Sequence, residues 1–241
     1  MADRHPDEGL RIDVREHGGQ KQGEPQVLDT RLFMQLQVYT GCRALEPIAE
    51  AVRAAIPASV LYQDVNDPCG LGLLTWATDP IHFVTRMRAL LCAEPFARLT
   101  HRPELTMLGR TYASGFEPDL EDWLLRRPVR AVTQPAWPWA IWYPLRRTGA
   151  FARLPQAEQG AILREHGAIG RAYGEADLAH DIRLACYGLD VRDNEFVIGL
   201  TGAQLQPLSH VIQTMRRTRQ TSEFIQSMGP FFIGHAVYQR P

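Results

Sequence analysis

Apolar positions along the chain keep two periods, and the periods alternate in a fixed order. Leu32-Phe33-Met34-Gln35-Leu36-Gln37-Val38-Tyr39 alternates and predicts a strand. Residues 45–56 place Leu45, Ile48, Ala49, Val52 and Ile56 at helical spacing. Ser59–Val65 and Gly70–Ala77 predict two more strands. Asp79-Pro80 puts a capping residue before a proline at the first helical position, so a helix starts there and runs to about Cys92. Residues 104–112 close this half as a strand. The order is β-α-β-β-α-β.

The second half repeats that order. Trp139–Tyr143 is a strand, Pro155–Tyr173 a helix, and Ile182–Leu189 and Glu195–Leu200 are strands around a Gly-Leu-Asp turn at 188–190. Residues 205–219 form a helix and Phe231–Tyr238 the last strand. The expected fold is α+β: two tandem ferredoxin-like units whose sheets join as a dimeric α+β barrel. Residues 1–29 are polar and aperiodic and predict a mobile arm. Residues 30–116 form the first unit, 117–136 a connection rich in Pro, Trp and Arg, and 137–241 the second unit.

Composition narrows the classes. An apolar fraction of 45%, a charged fraction of 22% and a net charge of −1 describe an ordinary globular chain with no basic field for nucleic acid. No apolar run reaches membrane-spanning length, and the N-terminus lacks a secretory pattern. Cys42, Cys69, Cys92 and Cys186 show no CxxC spacing, which fits reduced thiols in the cytoplasm. No P-loop, GxGxxG or Gly-x-Ser-x-Gly string occurs.

His166 is the most informative candidate. Ile162, His166, Ile169 and Tyr173 share one helical face. An imidazole in an apolar stripe either bonds a buried partner or ligates a metal. The other histidines have no partner at metal-ligand spacing, so zinc is not expected. In Trp137-Pro138-Trp139-Ala140-Ile141-Trp142-Tyr143-Pro144-Leu145-Arg146-Arg147, Trp139, Ile141 and Tyr143 share a strand face. This string is either an aromatic core strand or one wall of a flat pocket edged by a phenol, Arg146 and Arg147, suited to an acid-bearing planar ligand. Arg216, Arg217 and Arg219 either form a solvated helix end or hold anions at a pocket mouth. On the strand at 180–183, Asp181 and Arg183 face one way and His180 and Ile182 the other. Pro118–Trp123 reads as a capped helix start, and Gly229–Gly234 as a turn and buried strand.

Together these strings resemble the chlorite dismutase superfamily of haem proteins, in particular its coproheme decarboxylase branch. The matching residues are Tyr143-Pro144-Leu145 with Arg147, then Arg164-Glu165-His166-Gly167 with Ile169-Gly170-Arg171. Gly188-Leu189-Asp190 follows, and then Arg217 and Ser222 before Gly229-Pro230-Phe231-Phe232-Ile233-Gly234. The resemblance covers the second half by residues and the first by element order. It implies that His166 is the proximal ligand of the haem iron. Tyr143 would form a radical that takes hydrogen from a propionate. Arg147, Arg217 and Ser222 would contact propionates, with Arg146 and Arg183 further cofactor contacts. The implied reaction uses hydrogen peroxide to oxidise ferric coproheme III, which loses two propionates as CO2 and becomes haem b. Coproheme is thus substrate and redox centre, and the implied assembly is a homopentamer. Alternatives are a chlorite dismutase or peroxidase-like enzyme, and a haem carrier or sensor using His166 alone.

The chain departs from the pattern in two stretches. Residues 148–153 are shorter and 174–179 longer than the resemblance leads one to expect. An ungapped count from Gly188 puts Asp181 where the decarboxylases carry a distal glutamine and the chlorite dismutases a distal arginine. Arg183 shares its facing, and His180 reaches that side only through a bulge. All three remain open.

Overall fold

The computed structural model describes residues 12–241. Its first unit contains β3 (Phe33–Thr40), α1 (Leu45–Ala55), β4 (Ser59–Asp64), β5 (Leu71–Ala77), α2 (Ile81–Val84), α3 (Arg86–Leu91), β6 (Thr100–His101) and β7 (Met107–Arg110). They follow the hairpin strands β1 (Glu16–Lys21) and β2 (Glu24–Leu28). The connection holds α4 (Arg127–Thr133). The second unit contains β8 (Trp139–Arg147), α5 (Gly149–Ala152), α6 (Gln156–Glu175), β9 (His180–Ala185), β10 (Phe196–Gly202), α7 (Leu205–Met215), β11 (Ile225–Met228) and β12 (Phe232–Arg240).

Each unit is an antiparallel sheet with ferredoxin-like strand order, β7-β3-β5-β4 in the first and β9-β10-β8-β12 in the second. β4 pairs with β12, and β7 touches β9 at Arg110 and Ala185, so the two sheets run into one barrel. The inner face of the barrel is the first core: Met34, Leu36, Val38, Val60, Tyr62, Leu74, Trp142, Ile182, Leu184 and Phe232. The outer face of the first unit is covered by α1 and α3 through Ile48, Val52 and Met87. The outer face of the second lies under α7, with Leu208 and Val211 buried, and under α6.

Two glycines are dictated by close approach. A Cβ on Gly199 would lie 2.6 Å from the ring of Trp142, the buried indole on the neighbouring strand. A Cβ on Gly109 would lie 2.6 Å from Leu184 Cβ, beside the single residue pair that joins β7 to β9. Side chains at either position would push apart strands that the barrel needs in contact.

The structure corrects the expected arm. Residues 16–28 form the β1–β2 hairpin around Gln22 and Gly23, both at positive φ (56° and 87°), as a tight hairpin turn requires. Glu16 anchors it, accepting hydrogen bonds from Arg31 at 2.9 Å and Arg110 at 3.0 Å. The part of the expected arm at residues 1–11 lies outside the described residues. The helix expected at 80–92 breaks at Thr85, whose hydroxyl donates to the Ile81 carbonyl. Among the described residues no helix is long and apolar enough to cross a membrane.

Replacing Gly199 by Val should destabilise the fold by about 1–3 kcal/mol through overpacking against Trp142. Urea unfolding of the two proteins measures it, and an unchanged midpoint would show that the barrel interior is not packed this way.

Candidate functional site

Strand register assembles the site. Tyr143 on β8 lies opposite Ile198 on β10, which lies opposite Arg183 on β9. The next row is Ile141, Leu200 and Asp181. Directly opposed residues share a sheet face, so Tyr143, Asp181 and Arg183 all lie on the outer face of the second unit. Their neighbours Trp142, Ile182 and Leu184 fill the barrel. The outer face is roofed by Ile169 and Tyr173 of α6, by Leu208, Val211 and Met215 of α7, and by Phe231.

Tyr143 is buried and stacks on Phe231, with ring centroids 4.7 Å apart and planes 27° apart. Burial, seconded by the negative charge of Asp181, pushes its phenol well above the usual tyrosine range. The phenol therefore keeps its hydrogen at neutral pH.

His166 comes from the middle of α6. Of the twenty residues of this helix only Ile162 is buried, packed with Phe151 and Phe224, while partly buried Ile169 and Tyr173 meet the sheet. Tyr173 helps hold it there, its hydroxyl bonded to His210 and, at 3.1 Å, to Thr214 of α7. His166 is half-buried, and its Nδ1 lies 3.5 Å from the Thr218 hydroxyl, a long contact. Desolvation first, and the Arg183 charge second, hold its pKa below the ordinary histidine value, while Asp181 and Glu165 oppose them. The imidazole is thus neutral at neutral pH, the form that can donate a lone pair to a metal. Arg183 and Asp181 influence His166, and Asp181 also influences Tyr143. Helix and sheet residues are therefore electrostatically linked.

Asp181 is clamped. Arg127 Nη2 donates to one carboxylate oxygen at 2.7 Å, and Arg183 pairs with the other as an ion pair, its Nε 2.9 Å away. Both guanidiniums lie over the Trp123 ring, at 4.4 and 5.1 Å from its centroid. Burial raises the Asp181 pKa, but the charges of Arg183 and Arg127 outweigh it and leave the carboxyl below its ordinary value. His180 is on the other face. It stacks on Trp137 with centroids 3.5 Å apart and bonds Asp177 at 2.8 Å. The β9–β10 ladder runs without a bulge, so alternation keeps His180 away from Tyr143.

The remaining expected contacts divide. Arg147 shares the Tyr143 face at the end of β8, but its Nε donates to Glu195 at 2.9 Å and its guanidinium lies between the rings of Phe151 and Phe196. Its charge is already compensated. Arg146 falls on the opposite strand face and donates to the Arg192 carbonyl at 3.3 Å, so the fold does not bring it to the site. Arg217 is exposed beyond α7. Ser222 is also exposed, and its hydroxyl donates to the Thr218 carbonyl at 2.9 Å, so that hydrogen is committed.

Sequence reasoning missed Arg127 and Trp123, which lie in the stretch taken as a connection, and Phe231, taken as part of a buried strand. Nothing local marks them, because each acquires its role by packing against β8 or β9. Arg216 was seen as part of a basic cluster, either a solvated helix end or a holder of anions at a pocket mouth; in the fold its charge also reaches Tyr143 and partly offsets the rise of the phenol pKa.

Comparison with known proteins agrees with this architecture. The chlorite dismutase family model matches residues 68–237. A novel haem-binding protein from Thermus thermophilus superposes with a TM-score of 0.69 at 17% identity, covering 86% of this chain and 91% of that one. A variant of chlorite dismutase from Candidatus Nitrospira defluvii superposes with a TM-score of 0.65 at 12% identity, covering 86% and 92%. The same enzyme in complex with imidazole gives a TM-score of 0.65 at 12% identity over the same shares. At these identities the structures speak for the fold alone. No curated protein sequence matches the chain. The family model spans well over half of the sequence, and its fold is the barrel described above: the chain belongs to the chlorite dismutase family.

Proposed function

We propose that this chain is a haem-dependent oxidoreductase that decarboxylates coproheme III to haem b at the expense of hydrogen peroxide. The observation that carries the reading is Tyr143: a buried, protonated phenol on the face roofed by the helix that bears His166. A phenol so placed suits hydrogen-atom transfer at a propionate.

The residues fit a porphyrin. Among the described residues no three His, Cys, Asp or Glu side chains cluster around a metal-sized site. A single neutral imidazole suits a metal that arrives with its own macrocycle. His166 would hold the iron, and Tyr143, Phe231 and Ile198 offer a flat apolar and aromatic surface. Arg217 would bind a propionate by charge-assisted hydrogen bonds. The bound iron supplies the redox chemistry with peroxide. Tyr143 would give a hydrogen atom from its phenol to that oxidant and, as the radical, take one from the β-carbon of a propionate; the second oxidising equivalent from peroxide would accept the remaining electron as the carboxyl group leaves as CO2 and the vinyl group forms. Stacking on Phe231 and the restriction imposed by Pro144 on the preceding residue hold the ring in one direction during this step. We infer further that the protein works in the cytoplasm as a homopentamer.

A second reading rests on Arg183. A guanidinium on the Tyr143 face can receive an anion such as chlorite, which favours a chlorite dismutase or peroxidase-like activity. A carrier or sensor would use His166 alone. Incubation with coproheme and peroxide followed by mass spectrometry separates the three. Two successive losses of CO2 support the first, oxygen release from chlorite the second, and unchanged porphyrin the third.

His166→Ala is expected to abolish tight ferric haem binding while leaving the apo fold intact, since the side chain is only half-buried. A Soret spectrum and affinity equal to wild type would remove His166 as the ligand. Tyr143→Phe keeps the ring and its stacking, so folding and coproheme binding should survive while CO2 release stops; haem b formed at the wild-type rate would rule out the radical route. Arg217→Ala should weaken binding of the four-propionate coproheme more than of two-propionate haem b, each charge-assisted bond being worth roughly 1.5–3 kcal/mol. Equal losses in a titration of both porphyrins would exclude a coproheme-shaped rim.

A further inference from the structure

The Asp181 clamp joins three separate parts of the chain. Arg183 and Asp181 sit two residues apart on β9 and face the site. Arg127 opens α4, and Trp123 lies in the helical turn just before it, at 122–126. Asp181 accepts a hydrogen bond from Arg127 on one oxygen and is ion-paired with Arg183 on the other, so the position of each guanidinium depends on the other through one carboxylate. The Trp123 ring beneath both limits the positions they can take. The side chains are partly exposed, and a single ion pair at that exposure holds little by itself. Three ions and a ring closing on one another hold more than any pair.

Charge and space support a role beyond scaffolding. Two guanidiniums share one carboxylate, which leaves one positive charge in excess. Beside them is a cavity of about 10 Å³, lined by Thr111, Tyr112, Trp123, Arg127, Pro128 and Arg183. That is room for a water-sized occupant. Resting on the haem reading above, we propose that Arg127 and Trp123 are positioning residues that act through Asp181 to aim the Arg183 guanidinium at a small ligand on the side of the porphyrin away from His166. The connection between the two units is thereby part of the site.

The test uses two states of the full chain. In the haem-free protein, the side-chain order of the Arg183 guanidinium is followed by NMR; in protein loaded with ferric haem b, fluoride affinity is followed by the visible spectrum. Arg127→Gln is expected to loosen the Arg183 guanidinium, lowering its side-chain order parameter, and to weaken fluoride binding roughly tenfold. Arg127→Lys should retain most of both. Arg127→Gln added to Asp181→Asn should cost nothing beyond Asp181→Asn alone, because the effect travels through the carboxylate. An unchanged Arg183 order parameter, an unchanged fluoride affinity or additive losses would overturn the proposal. If the wild type takes up no haem, the haem reading fails, while the haem-free measurement still decides whether Arg127 positions Arg183.

Discussion

The filled interior of the barrel is the constraint on which the rest of the molecule depends. Trp142, Phe232 and Tyr62 meet inside it, and Gly199 and Gly72 are bare because those rings occupy the space where a Cβ would be. Such an interior has no room for a ligand. Every strand of the second unit therefore spends one face on packing, and chemistry is left to the other. Period-two alternation then sorts the residues: Trp142, Ile182 and Leu184 go inward, and Tyr143, Asp181 and Arg183 go outward. The same rule removes Arg146 and His180 from the site even though each adjoins a residue that belongs to it.

The outer faces of the two units show how one architecture serves two ends. In the first unit Ile48, Val52 and Met87 press helices onto the sheet and close it with apolar side chains. In the second, α7 does the same, but α6 meets the sheet through partly buried Ile169 and Tyr173, with His166 between them and Ile162 on the helix. Tyr173, bonded to His210 and Thr214, also fastens α6 to α7.

Electrostatics divides the arginines into spent and available charge. Arg147 is matched by Glu195 and flanked by two phenyl rings, so it organises the end of β8. Arg127 and Arg183 have one carboxylate between them, and Arg217 lies in solvent. Negative groups of a ligand would meet the unspent charge on the Tyr143 face and beyond the end of α7.

Much of this was legible in the chain itself. Alternation and helical spacing marked nearly every strand and helix, and the repeated β-α-β-β-α-β order implied two joined ferredoxin-like sheets, because those signals are local and set by which residues must be buried. The facing of Tyr143, Asp181 and Arg183 also followed from alternation, and His166 stood out as a polar group in an apolar stripe. The β1–β2 hairpin did not, since its strands are polar and are held by Glu16, Gln26 and Lys21 reaching residues far along the chain. Nor did the facing of His180, which needed a ladder without a bulge. Tertiary structure alone brought Arg127 and Trp123 to Asp181, fifty-four residues from Arg127. Contacts over such separations leave no periodic trace, because no local burial requirement links the two positions.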